Sequence, residues 1–330
     1  MVRFSYNARI AGFVLAAFSI SGAVFWPYFA GAATAIVGLC FAPKNAVQRA
    51  RGLDKFVPFG PLFLAIAMAI FGADHFIFAK FVAMLVPSWI PGHLFWAYFV
   101  GVALVAAALS LVTKIWSRLA AALLGAMIFL FVVLMHIPSC FAAPQDQTRL
   151  TLLLRDLALS AGALAFAAQI DQGRVPSSAA GFLGSRLQTI GPKLITVARF
   201  LVSLSIADFG VNHFLHPTFA PGIPQDDPAV FLTMPSWIPG HVLWAYLTGA
   251  IFIACALGIL TRKWAHFAAQ VLGLTVLVLI VFVYLPLTVA KASDIANGLN
   301  YLAIHFALAG AALLLAGALP ANVADDAAVH

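Results

Sequence analysis

Glutamate is absent: all eleven acidic side chains among the 330 residues are aspartate, against eighteen Lys and Arg, for a formal net charge of +7. Charge of either sign is scarce, at 9% of residues, whereas 63% are hydrophobic and the mean hydropathy is +1.02. A water-soluble domain needs about 25% charged residues to cover its surface, so a soluble fold is excluded. Cysteine is nearly as rare. Cys40, Cys140 and Cys255 lie far apart, leaving no C-x-x-C for disulfide exchange and no spacing for an iron–sulfur cluster. Walker A, G-x-S-x-G and H-E-x-x-H motifs are also missing, which removes P-loop, α/β-hydrolase and zincin chemistry.

What is present is apolar sequence in long runs. Leu94 to Val112 and Val242 to Leu260 are each long enough to cross a ~30 Å hydrocarbon core as helices rising ~1.5 Å per residue. Backbone polar groups must be satisfied within the segment there, which selects helices over open strands. The chain predicts an all-α polytopic membrane protein with spans near 57–76, 93–113, 117–137, 150–169, 193–213, 241–261, 265–285 and 299–319. One set of loops holds Lys44, Arg49, Arg51, Lys55, Lys114, Arg118, Arg174, Arg186, Lys193, Arg262 and Lys263. The other set has only Lys80, Arg149 and Lys291, with the acidic pair Asp226 and Asp227. The positive-inside rule makes the first set cytoplasmic, with both termini, in a multi-pass inner-membrane protein. The basic balance is therefore a topology signal, and nucleic acid is not an expected partner. The Lys/Arg-rich end is termed inner, the opposite end outer.

The chain also repeats itself. Pro87 to Tyr98 (PSWIPGHLFWAY) returns as Pro235 to Tyr246 (PSWIPGHVLWAY), with two of twelve positions changed and an offset of 235 − 87 = 148. The offset holds through Gly101/Gly249, Trp116/Trp264, Gly125/Gly273 and Pro138/Pro286. Upstream, Phe71 to Phe76 (FGADHF) matches Phe209 to Phe214 (FGVNHF) at 138, so the second copy carries about ten extra residues around His216 to Pro228. A fixed long period means duplicated architecture. Four spans per copy, an even number, give two parallel-repeat four-helix bundles, unlike the inverted repeats of many transporters. The boundaries expected are an N-terminal hydrophobic hairpin and basic loop at 1–56, a first unit at 57–170, a linker at 171–192, a second unit at 193–319 and a tail at 320–330. Within the hairpin, Trp26-Pro27-Tyr28 is read as the break between two short helices spanning 6–42, and a cleaved signal peptide is the rival.

Polar residues within the spans concentrate toward the outer end. In the first copy Asp74 and His75 end the first helix, His93 opens the second, His136 closes the third, and Arg155 and Asp156 sit about six residues, ~9 Å, into the fourth. The second copy has Asp208, Asn212, His213, His241, Tyr284 at the position of His136, and His305 in its last helix. Ionisable groups inside a bilayer are costly and normally face a bundle interior or a wet cavity. Each unit is thus expected to hold a polar pocket opening outward. Its His and Asp suit proton exchange near neutral pH and hydrogen bonding to a carbonyl- or hydroxyl-bearing ring. Metal ligation is not expected, because no two His lie at i, i+4 on one helical face. The plainer alternatives are interfacial anchoring by the histidines and a structural Arg155–Asp156 pair. The PSWIPGH element reads as a turn kept out of helix by its prolines, with Trp89 and Trp237 either headgroup anchors or aromatic walls for a flat ligand.

Phe71-Gly72-x-x-His75-Phe76, Val86-Pro87-x-Trp89-Ile90-Pro91, Tyr98-x-x-Gly101 and the closing run Arg155 to Gly162 (RDLALSAG) together resemble the DoxX-like family of bacterial four-helix membrane proteins. The second copy is similar over Phe209 to Gly310, as a tandem of the usual single unit. The resemblance implies a membrane subunit in thiosulfate:quinone oxidoreduction, or a membrane partner of soluble redox enzymes, and supplies no catalytic residues. Two readings follow. One is a membrane subunit or partner of a redox system whose outward pockets hold a quinone, the candidate cofactor. The other is a non-enzymatic small-solute carrier or scaffold.

The loop charges generate a direct test of sidedness. Cysteines placed at Asp226 and Ser178 are expected to react differently with an impermeant thiol reagent in cells whose outer membrane alone is permeabilised. Asp226→Cys should label and Ser178→Cys should not; the reverse pattern inverts the orientation.

Overall fold

The computed structural model describes residues 22–169, 179–224 and 240–321, without the side chains of 23, 179–188 and 241. No strand occurs among the described residues. The helices in chain order are α1 (Gly22–Cys40), α2 (Lys44–Arg49), α3 (Gly60–Ile77), α4 (Ala79–Leu85), α5 (His93–Thr113), α6 (Ser117–Phe131), α7 (Ile137–Ala142), α8 (Gln147–Ala167), α9 (Ala179–Leu215), α10 (His241–Leu260), α11 (Ala265–Leu279), α12 (Leu285–Ala290) and α13 (Leu299–Ala318). Eight segments are long and apolar enough to span a membrane: Gly52–Ile77, His93–Thr113, Ser117–Ala142, Gln147–Ala167, Thr189–Leu215, Val242–Leu260, Ala265–Ala290 and Leu299–Ala318. They match the eight expected spans within a few residues, and the chain is a polytopic helical membrane protein.

Two segments differ from expectation. The break at Trp26-Pro27-Tyr28 does not occur, because α1 runs through Pro27 to Cys40 as one helix. Pro27 lies inside this helix and removes one N–H···O=C bond, the one to the Ala23 carbonyl, without ending the helix. The other arm of the expected hairpin lies outside the described residues. Part of the 171–192 linker is also helical: α9 is 37 residues long and passes through Pro192.

The fourth helix of each copy lies at the centre. α8 and α13 are the most enclosed spans, 67% and 83% buried along their apolar windows. They touch where Gly162 meets Ala311, so closely that a Cβ on Gly162 would stand 2.5 Å from that of Ala311. Ala158, Ala161 and Gly162 form the small-residue face that membrane helices use to approach one another. Around this pair the copies exchange partners. α3 packs along α13 and α9 along α8, so the first helix of each copy lies on the fourth helix of the other. α5 then pairs with α3 and α10 with α9, while α6 covers α8 and α11 covers α13.

The pairings agree in detail between copies. A Cβ on Gly72 would lie 3.2 Å from the Gly101 carbonyl, and one on Gly210 would lie 2.9 Å from the Gly249 carbonyl. Phe76 stacks on Tyr98 at 6.1 Å between centroids, and Phe214 on Tyr246 at 5.5 Å. Each third helix also ends in a π turn, Val132–His136 and Ile280–Tyr284, 148 residues apart. Pro138 and Pro286 follow directly at the start of α7 and α12. Proline lacks an N–H and its ring would strike the carbonyl four residues back in a continuous α-helix, a conflict the wider turn absorbs. α1 packs on α3, and Tyr28 Oη donates to the Ala292 carbonyl (3.1 Å), tying it to the outer loop of the second copy.

Enlarging the central crossing should be costly. Gly162→Leu is expected to destabilise the detergent-solubilised protein by at least the ~1–3 kcal/mol typical of overpacking. Gly22→Leu, where a Cβ meets nothing within 4 Å, is the control. Equal melting of the two variants would refute the crossing.

Candidate functional site

In both copies the FG-x-x-HF motif seats a histidine at one place. The Cβ of His75 lies over Gly101 and that of His213 over Gly249, each 2.9 Å from where the glycine's own Cβ would be. The ring is fixed to its own helix, His75 Nδ1 on the Phe71 carbonyl (2.7 Å) and His213 Nδ1 on the Phe209 carbonyl (2.5 Å). Nδ1–H donates, and Nε2 is left as an acceptor.

In the second copy the extra residues meet that acceptor. Ala220 to Pro224 are buried, and the Gly222 N–H donates to His213 Nε2 (3.0 Å). The next amide, Ile223 N–H, donates to His305 Nε2 (3.2 Å), while His305 Nδ1 donates to the Tyr301 carbonyl (2.7 Å). Tyr284 Oη donates to the Pro221 carbonyl (2.6 Å) and its ring stacks on His305 with centroids 3.5 Å apart. Three consecutive residues of the loop thus hydrogen-bond three buried side chains. Gly222 is required there, with φ +116° and room for no Cβ, which would sit 2.5 Å from His305 Nε2. The insertion is a plug. Its length was visible in sequence, but its target was not, because the plug works through backbone groups that any residue carries.

The first copy has no such insertion and different chemistry. His136, delivered by the π turn, bonds Asp156 Oδ2 through Nε2 (2.9 Å), and Arg155 Nε donates to Asp156 Oδ1 (2.7 Å). Asp156 is therefore bracketed by two donors, at 12% side-chain exposure. α8 is held in register by Asp146, which caps it by accepting from the Thr148 N–H (3.0 Å). Arg149 donates to Asp146 (2.9 Å) and holds this loop carboxyl below the usual carboxylate range. That interaction is lost only as pH falls through the lowered value.

The remaining candidates are placed apart from these clusters or less fully partnered. Asp74 is buried, facing Asn300 across the contact of α3 with α13. Asp208 faces Gln147 across the contact of α9 with α8 and accepts from Asn212 Nδ2 (3.0 Å), so it serves the boundary between copies. His93 opens α5 partly exposed, and Trp89 is 68% exposed on the outer surface, an anchor's position. The Pro87–His93 turn is closed by Gly92 in the left-handed region and by Trp96 Nε1 donating to the Pro91 carbonyl (3.1 Å). Trp237 and the side chain of His241 lie outside the described residues. Among the described residues no three His, Cys or Asp converge as a metal-ligand set.

A further polar cluster lies at the inner end, away from the residues expected from sequence. His266 Nε2 meets Asp54 Oδ1 (2.7 Å), its Nδ1 meets the Ala316 carbonyl (2.9 Å), and Gln270 Nε2 donates to the same Asp54 oxygen. Asp54 belongs to the basic loop that precedes the first copy and His266 to α11, so the cluster ties that loop to the second copy. Comparison with protein-family models, curated proteins and solved structures gives no match for this chain.

The plug can be dislodged by one change. Gly222→Val should open residues 213–224 to faster amide hydrogen exchange at unchanged global fold, since both its φ and its contact with His305 forbid the side chain. Unchanged protection at Gly222 and Ile223 would show that their amides do not depend on these contacts.

Proposed function

We propose that the protein is a quinone-linked membrane subunit in which the first copy holds the ligand and the second is sealed by its own loop, with the Lys/Arg-rich end in the cytoplasm of a bacterial inner membrane. The observation that carries this reading is the contrast between equivalent places. In the second copy two amide donors and a carbonyl acceptor satisfy His213, His305 and Tyr284. In the first copy the matching histidine, His75, and the His136–Asp156–Arg155 chain stand where no inserted loop exists. A flat ring bearing hydroxyl and carbonyl oxygens presents the same kinds of groups as that loop. A bound quinol donates one hydroxyl to His75 Nε2, and His136 with Asp156 accepts protons toward the outer side while electrons pass to a partner oxidoreductase. The DoxX-like resemblance supports the same reading. A carrier needs a polar path to the inner side, and the inner half of α3 is Leu62 to Ile70, all apolar.

A short-chain benzoquinol titrated onto the purified protein is the test. One molecule should bind per chain, and His75→Leu or Asp156→Asn should weaken binding roughly 5- to 150-fold, matching the ~1–3 kcal/mol of a lost polar partner at a buried site. Full binding by both variants, with folding intact, would sink the proposal.

A further inference from the structure

His136 and Asp156 reach each other from different elements. His136 is the last residue of the π turn, α7 follows on it directly, and Ser139 of α7 is three residues on (139 − 136 = 3). Asp156 lies seven residues beyond Arg149 on α8 (156 − 149 = 7), about two turns further along the same face. The meeting of the two side chains therefore depends on how α7 is fixed against the first turn of α8. Arg149 makes that connection. Its Nη1 donates to the Ser139 carbonyl (3.0 Å) and to Ser139 Oγ (3.1 Å), while its Nε donates to Asp146 Oδ2 (2.9 Å). The rigid fork of a guanidinium holds both directions at once, which a single ammonium does not.

The second copy makes the same junction by other means. At the 148 offset Asp146 becomes Asp294, Arg149 becomes Asn297, Ser139 becomes Leu287 and His136 becomes Tyr284. The bond within the loop persists, with Asn297 Nδ2 donating to Asp294 Oδ2 (2.9 Å). The tie from α12 to the start of α13 is instead made by buried Thr288, whose Oγ1 donates to the Gly298 carbonyl (3.3 Å). Cys140 stands at the position of Thr288 in the first copy, and there the tie passes to Arg149. Tyr284 is also held by the Pro221 carbonyl and by its stack on His305. In the first copy the inserted loop does not exist, and Leu157 stands at the position of His305. The arginine thus belongs to the copy that carries the His136–Asp156 bond.

We infer that Arg149 is a positioning residue: it straps α7 to the start of α8 and so sets the bond between His136 and Asp156. That this bond serves a quinol rests on the reading above; that Arg149 sets it does not. At 38% side-chain exposure the Arg149–Asp146 pair is open to water, and such pairs contribute little to stability. Its effect falls on geometry, because site side chains keep their places through the hydrogen-bonded groups behind them.

Arg149→Asn is the informative variant, since Asn297 bonds the equivalent aspartate without the reach of an arginine. The full chain is labelled with 15N-histidine in phosphatidylcholine bilayers, and the His136 Nε2 signal, identified by its disappearance in His136→Gln, reads the bond to Asp156. In Arg149→Asn that signal should move toward its position in Asp156→Asn, while the melting midpoint stays at that of Lys80→Gln, an exposed control in α4. A short-chain benzoquinol should bind about tenfold more weakly, as for one weakened hydrogen bond. An unmoved signal would overturn the inference whatever the ligand does. A midpoint lowered together with the signal would make Arg149 a support of the whole fold and overturn it too. A moved signal with unchanged benzoquinol binding would leave the strap standing and sink the quinol reading instead.

Discussion

The contact on which the rest of the structure depends is the close crossing of α8 and α13 at Gly162 and Ala311. Between helices in lipid there is little hydrophobic driving force, so association rests on dispersion contacts and on backbones that can come near each other. Two faces of alanine, serine and glycine provide that approach, and α8 uses it twice. Ser160 Oγ donates to the Gly125 carbonyl of α6 (2.8 Å), and Leu154 of α8 accepts from Ser205 Oγ of α9 (2.7 Å). The outer helices inherit their positions from this pair. α3 and α9 lie on the far copy's central helix, and α5 and α10 pack on α3 and α9.

The second organising constraint is the cost of an unsatisfied polar group away from water. The two copies resolve it differently at one place. The second fills its pocket with loop amides and stacks Tyr284 on His305. The first keeps a hydrogen-bonded chain of Arg155, Asp156 and His136. Asp74 of α3 is buried beside Asn300 of α13, where the two copies meet.

The spans were legible because hydrocarbon thickness sets a length that apolar runs either reach or do not. The duplication was legible because side-chain identities persist at a fixed offset. Exchange of helix partners was not, since the same small-residue pattern serves whether a helix packs on its own copy or on the other. At the site, it could be read from sequence that His75, His136, Asp156, His213 and His305 lie toward the span ends opposite the Lys/Arg-rich loops. Their partners could not: the plug acts through main-chain atoms, and the bond between His136 and Asp156 depends on a π turn whose only trace is Pro138. The inner cluster of Asp54, His266 and Gln270 escaped notice because Asp54 is distant in sequence and each residue alone looks like ordinary loop or interface polarity.

The exchange of partners carries a consequence for synthesis. α3 ends at residue 77 and α13 begins at residue 299, a separation of 299 − 77 = 222 residues. At ~5–20 residues per second, the first helix waits roughly 10 to 45 s in the bilayer before its neighbour from the second copy, α13, emerges from the ribosome. α8 likewise enters the membrane before α9 and α13 exist. A single copy released at that stage would present the small-residue face of α8 to lipid or to any similar helix nearby. Maturation is therefore governed by the last span to insert, and the nascent first half is the stage at which insertion factors or stray pairing would act.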